Sequence, residues 1–269
     1  EHAVGHLIYS RIWNRFLYDQ GMSPVKEPFK KLVHQGMILG ENGIKMGKRF
    51  PEFVVNPSDI VRDYGADTLR LYEMFMGPLE ASKPWSNQGV EGARKFLNRV
   101  WNFFTEPENI IEGEGGALEK IYHKSVKKVT EDFEKLAFNT AISQMMIFVN
   151  AVYKEGKCPR EYAEGLIKML SCIAPHIGEE MWSQLGHNDT IAYESWPTYD
   201  ESKTADDSVE VVLQINGKLK GTIMLPVNCP KDDAIAAAKA DERIAAAIDG
   251  KTIVKEIAVP NKIVNIVVR

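Results

Sequence analysis

Apolar positions follow two different periods along this chain. From residue 2 to 20, Val4, Leu7, Ile8, Ile12, Phe16 and Leu17 recur at helical spacing and predict a helix that Gly21 ends. Residues 35–47 read as a short strand, a GENG turn and a loop. Residues 57–77 predict two helices broken near Gly65, with Asn56 as cap, Pro57 in the first position and Gly77-Pro78 as the stop. A further helix is expected over 89–105, and the acidic, Gly-rich stretch 106–117 reads as a loop. A long helix is expected over about 118–154, interrupted at Asn139-Thr140, its buried stripe formed by Val126, Val129, Phe133, Leu136, Met145, Phe148 and Val152. Residues 160–185 predict a helix pair divided around Pro175, so 78–190 reads as an all-α bundle.

Beyond residue 208 the period becomes two. VEVVLQIN and KLKGTIMLP flank Asn216-Gly217, the signature of a hairpin with a type I′ turn. An Ala-rich run over 231–248 reads as helical, and a second strand pair turns at Pro260-Asn261. The expected layout is residues 1–77, a helical domain over 78–195, a linker over 196–208 and a small α+β domain over 209–269.

Composition narrows the class. The chain has 269 residues, 44% hydrophobic and 26% charged, ordinary for a globular protein. No apolar run reaches the roughly 18 residues of a membrane span. Cys158, Cys172 and Cys229 form no CxxC pair, which argues against a disulfide framework and a structural zinc site and points to the cytoplasm. Net charge is −4, divided as +3 over residues 1–105, −7 over 106–204 and zero over 205–269. Any nucleic-acid contact must therefore use local patches.

The sharpest chemical feature is KMGKR, Lys45 to Arg49. One flexible loop carries two ammonium groups beside a capped helix, a setting that can grip a polyphosphate; the ordinary alternative is a solvated basic hairpin tip. His2 and His6 lie four apart on one helix face, which suits a metal pair, but no third ligand is apparent and HExxH is absent. Packed histidines are the default reading of that spacing. His176, Glu179 and Trp182 read as helix-packing and capping groups.

KMGKR, with the capped helix and YGADTLRL that follow it, resembles the KMSKS loop of class I aminoacyl-tRNA synthetases, the leucyl enzymes in particular. Gly47 and Arg49 stand where the usual loop has serines. EHAVGHLIYSR at the start, FNTAI at 138–142, APHIGEEMW at 174–182, and QINGKLKG and VPNKIVNIVV near the end extend the resemblance along the whole chain. The isoleucyl relatives usually end in a cysteine-rich zinc module and the valyl ones in a coiled coil, and neither pattern is present.

The resemblance implies the C-terminal remnant of a Rossmann-like catalytic domain, then an anticodon-binding-type helical bundle, then a small tRNA-binding domain. It implies activation of leucine with ATP and Mg²⁺, then transfer to the tRNA for leucine. Lys45 and Lys48 would stabilise charge on the phosphates, Arg49 would add a donor, Glu1 would lie near the ribose, and Met37 and Ile38 would flank the adenine, with a plain core strand as the competing reading of those two. His2 and His6 would line the leucine pocket. Lys83, Arg94, Lys95 and Arg99 suit phosphate contacts on a tRNA arm, and Lys218, Lys220, Lys262 and Arg269 suit its outer corner; a solvated surface is the competing reading for both sets. The HIGH motif, the first half of the nucleotide-binding sheet and the editing domain are not in the sequence, and the chain opens on Glu1 rather than Met. The expectation is a C-terminal portion, inactive without the missing N-terminal part. A split subunit or a stand-alone tRNA-binding module is the alternative.

Overall fold

The computed structural model describes residues 3–205 and 208–269. Helix α1 spans Ala3–Asp19 and ends at Gly21, which takes a φ of 71°. Its apolar stripe is uncovered: Ile12, Trp13 and Phe16 are 60%, 63% and 53% exposed. The next extended residues, β1 (Ile38–Leu39), pair in parallel with β2 (Lys83–Pro84).

Between these strands lie α2 (Pro57–Tyr64) and α3 (Ala66–Phe75). Asn56 caps α2 by accepting from the Ser58 amide at 3.1 Å, and Gly65 separates the two helices at a φ of 91°, a value costly for any side chain with a Cβ. After β2, α4 (Asn87–Phe104) starts two residues earlier than its apolar pattern, because the Ser86 hydroxyl accepts from Gly89 N. Within the predicted 106–117 loop, β3 (Ile110–Ile111) pairs with β4 (Cys158–Pro159).

The long helix expected over 118–154 is two helices, α5 (Glu119–Glu134) and α6 (Phe138–Glu155). The break falls at Lys135–Ala137, ahead of Asn139. Leu136 adopts a left-handed φ of 58°, and the Ala137 amide turns back to Asp132 O at 2.7 Å. A left-handed leucine costs about 1–2 kcal/mol. The packing on either side offsets that cost: Val126 and Val129 on α5, and Ala141, Ile142, Met145, Phe148, Val149 and Val152 on α6, are fully buried. Helices α7 (Arg160–Ser171) and α8 (Pro175–Gln184) divide at Pro175 as the sequence predicts. One core runs from Ile60 to Ile191 through α2 to α8.

The chain divides into two compact units, the first ending at Thr198 and the second running Tyr199–Arg269. The second holds β5 (Ser208–Ile215), β6 (Lys218–Pro226), α9 (Lys231–Ala240), α10 (Glu242–Ile248), β7 (Ile253–Val259) and β8 (Ile263–Val268). The sheet order is β6-β5-β8-β7, with β5 and β8 parallel at the centre and antiparallel pairs outside. Asn216 and Gly217 take φ values of 48° and 77°, the type I′ turn. The Asn216 side chain bonds both the amide and the carbonyl of Val268, as a strand backbone would. The Ala-rich run is helical and divides in two: Asp241 leaves helical geometry and its carboxylate accepts from Arg243 N at 3.0 Å, capping α10. Val211, Leu213, Ile215, Val264 and Ile266 face these helices in a core of their own.

Candidate functional site

The KMGKR turn is built on a close contact between two chain segments. Gly36 donates to Leu79 O at 2.8 Å, and a Cβ there would lie 2.0 Å from Ala81 O, so glycine is required. Met37 N bonds Ser82 Oγ, Lys83 N bonds Met37 O, and Trp85 N bonds Leu39 O. Met37 and Ile38 are half-buried on this ladder, and Ile38 packs on the core of the first unit.

Beyond β1 the chain reverses through Gly40–Gly43. Gly40 N bonds Ile44 O at 2.9 Å, the Asn42 side chain accepts from Ile44 N, and Leu39 bridges to Lys45. Lys45, Lys48 and Arg49 are exposed, while Met46 between them is half-buried. The Met46 sulfur accepts the Val55 amide at 3.4 Å, so the methionine pins the turn that carries the exposed lysines. Gly47 keeps an ordinary φ, and a Cβ there meets nothing within 4 Å. The Arg49 guanidinium lies 5.3 Å from the centre of the Phe50 ring. Beneath the turn, Met46, Ile38, Val55, Pro57, Leu69, Trp85 and Glu73 line a cavity of about 160 Å³. Burial raises the Glu73 pKa, and Arg70 opposes that rise.

The other proposed cations are placed differently. The Lys83 ammonium donates to Gly77 O and Pro78 O at 3.2 and 2.9 Å, and burial lowers its pKa. Arg94 donates to Tyr64 O, the last residue of α2. Those two side chains hold carbonyls in place. Lys95 and Arg99 are exposed on α4, and Arg99 lies 4.6 Å over the Tyr153 ring while Tyr153 Oη donates back to Arg99 O. His6 is exposed on α1; Glu1 and His2 lie outside the described residues. Among the described residues, no group of three potential metal ligands assembles.

In the second unit, Lys218 follows the hairpin tip, and the β5–β6 register passes over Lys220, from Gln214↔Leu219 to Leu213↔Gly221. Arg269 follows Val268, which Asn216 binds, so Lys218, Lys220 and Arg269 share one end of the sheet. Lys262 lies in the β7–β8 turn, beside the Val212 position of β5, away from that end.

Residues 11–83 match the family of class I tRNA synthetases for isoleucine, leucine, methionine and valine (I, L, M and V). Residues 117–235 match the anticodon-binding domain of tRNA ligases. The chain belongs to the class I tRNA synthetases. Among solved structures it is similar to the agnB2 LeuRS of Agrobacterium radiobacter K84, determined as a ternary complex, LeuRS-tRNA-LeuAMS. Identity is 32% over 100% of this chain, with a TM-score of 0.69, and the chain spans 37% of that protein.

The synthetase segment 11–83 contains the Lys45–Arg49 turn and its whole supporting ladder up to Lys83. The anticodon-binding segment takes in α5 to α8 and continues through β5 and β6 into α9. Helix α4, with Lys95 and Arg99, falls between the two matched segments. Sequence reasoning missed Asp67 and Arg70 within YGADTLRL, which bond to the α7–α8 junction. Their one signal in the sequence is an acid and a base three residues apart on a helix.

Proposed function

We propose that this chain is the C-terminal portion of a leucine–tRNA ligase. The ligase activates leucine with ATP, accompanied by Mg²⁺, as leucyl-adenylate, then transfers leucine to its tRNA. The observation that carries the reading is the pair of exposed lysines on one pinned turn, inside the class I segment of a chain similar along its whole length to a LeuRS.

Lys45 and Lys48 stabilise the negative charge that develops on the α-phosphate and departing pyrophosphate. Fixed donors aimed at developing charge require no reorganisation during reaction, and loss of one costs about 3 kcal/mol, roughly a hundredfold or more in rate. Arg49 supplies a further donor where a serine hydroxyl would otherwise stand. Met37 and Ile38, half-buried before the turn, flank the adenine. His6, with His2 and Glu1, belongs to the amino-acid and ribose side. An apolar pocket of this kind discriminates by shape, at about 1–3 kcal/mol per methylene.

tRNA binding is assigned to Lys95 and Arg99 on α4, whose side chains are exposed, and to the cluster of Lys218, Lys220 and Arg269. Lys83 and Arg94 support the fold instead, because their donors bond to backbone carbonyls. The 269 residues alone are proposed to be inactive, since the turn contributes one side of a phosphate site.

The test is amino-acid-dependent ATP–pyrophosphate exchange by the ligase that carries these residues. Leucine should support exchange far better than isoleucine, methionine or valine. A preference for any of those three would reject the leucine assignment while leaving the synthetase family intact.

A further inference from the structure

Helix α3 works through two sets of contacts. Asp67 and Arg70, three apart, make one set, and Leu69 and Glu73, four apart, make the other, with Arg70 and Glu73 also lining a shared cleft. Through the first set, α3 straddles the elbow between α7 and α8. The Asp67 carboxylate accepts from the His176 and Ile177 amides at 3.3 and 2.7 Å, and from His176 Nδ1 at 2.8 Å. These amides belong to the first turn of α8, which has no preceding carbonyls to bond them. Arg70 Nε donates to Ile173 O at 2.7 Å, and Nη2 lies 3.4 Å from Cys172 O, just past the end of α7. The acid therefore meets the positive end of one helix and the base the negative end of another, each the favourable sign. Asp67 is almost fully buried.

In the second set, Leu69 and Glu73 line the cavity beneath the turn, opposite Met46. Met46 holds that turn to the chain through Val55. One ten-residue helix thus bonds the elbow of the bundle and supports the floor of the lysine turn.

We propose that Asp67 and Arg70 are positioning residues for the synthetase reaction: they lock α3 to the α7–α8 elbow, and through α3 the anticodon-binding helices set the placement of Lys45 and Lys48. The catalytic half of this statement rests on the proposed ligase function; the structural half does not.

Hydrogen–deuterium exchange on the chain tests the structural half. The variants are Asp67→Asn, which keeps an acceptor oxygen, and Arg70→Lys, which keeps the charge but not the two-carbonyl fork. Trp196→Phe serves as a control: it removes the Trp196–Thr130 hydrogen bond elsewhere in the same unit. In either clamp variant, the Ile177 amide should exchange about tenfold faster. The bonded amides of Phe50, Phe53, Val54 and Val55 should exchange about threefold faster. The control should leave the turn amides unchanged. Faster exchange at the elbow alone, at neither place, or evenly through the unit and matched by the control, overturns the proposal. In the ligase, the clamp variants should lower the rate of leucine-dependent exchange about threefold with KM for leucine within twofold. A Lys48→Ala variant with undiminished activity would refute the ligase role of the turn and leave the amide result standing.

Discussion

Lys48 and Lys83 belong to the same compact unit and sit 35 residues apart, yet the fold treats them in opposite ways. Lys83 is drawn inward: two carbonyls receive its ammonium, and burial lowers its pKa. Lys48 is exposed on a turn that Met46 anchors through the Val55 amide. Arg94 joins Lys83 in bonding a carbonyl, and Lys95, the next residue, is exposed like Lys48. Charge at a helical or loop position therefore says little about use. What decides is whether an unfilled backbone acceptor lies within reach of the side chain.

That contrast orders the expected effects of mutation. The largest is kinetic: Lys48→Ala in the proposed ligase should slow adenylate formation about a hundredfold or more, with no change in melting temperature. The next is structural. Lys83→Met removes the donor to Gly77 O and Pro78 O, which solvent can partly replace, and should destabilise the first unit by about 0.5–1.5 kcal/mol, read from urea unfolding. Its exchange activity per folded molecule should be preserved. A smaller effect belongs to the second unit, where Lys218→Ala with Lys220→Ala should flatten the dependence of log tRNA affinity on log salt by about 0.7–0.9 for each phosphate no longer neutralised. An unchanged slope would make these lysines ordinary solvated surface. The smallest concerns the departure from the serine-containing loop. Gly47 has an ordinary φ and open space at its Cβ, so Gly47→Ser should leave the melting temperature unchanged. A clear fall in that temperature would mean that glycine is needed for the turn itself.

Much of the fold was legible because its boundaries carry strong local signals. Asn56-Pro57, Gly65, Pro175 and Asn216-Gly217 each restrict the backbone in a way a sequence displays directly, and each marks a boundary in the structure. The α5–α6 break was legible as an interruption but not in place. Leu136 carries no turn preference, and tertiary packing imposes its left-handed conformation. The α9–α10 break had a signal, the capping Asp241, hidden inside a run of alanines that favours continuous helix. KMGKR was legible as an exposed turn between a short strand and a capped helix. The assignments of Lys83 and Arg94 to carbonyls, and of Asp67 and Arg70 to the α7–α8 elbow, were not. They depend on hydrogen bonds across as many as 110 residues, which spacing along one helix does not reveal.

The central claim is that the fold reserves Lys48 for charge that develops during reaction and commits Lys83 to its own backbone. Leucine-dependent pyrophosphate exchange, measured on Lys48→Ala and Lys83→Met ligase side by side, tests it most directly. The account predicts a rate lower by about a hundredfold for Lys48→Ala at a nearly unchanged KM for leucine, and a near-normal rate per folded molecule for Lys83→Met. A normal exchange rate in Lys48→Ala, or a comparable loss in folded Lys83→Met, would contradict it.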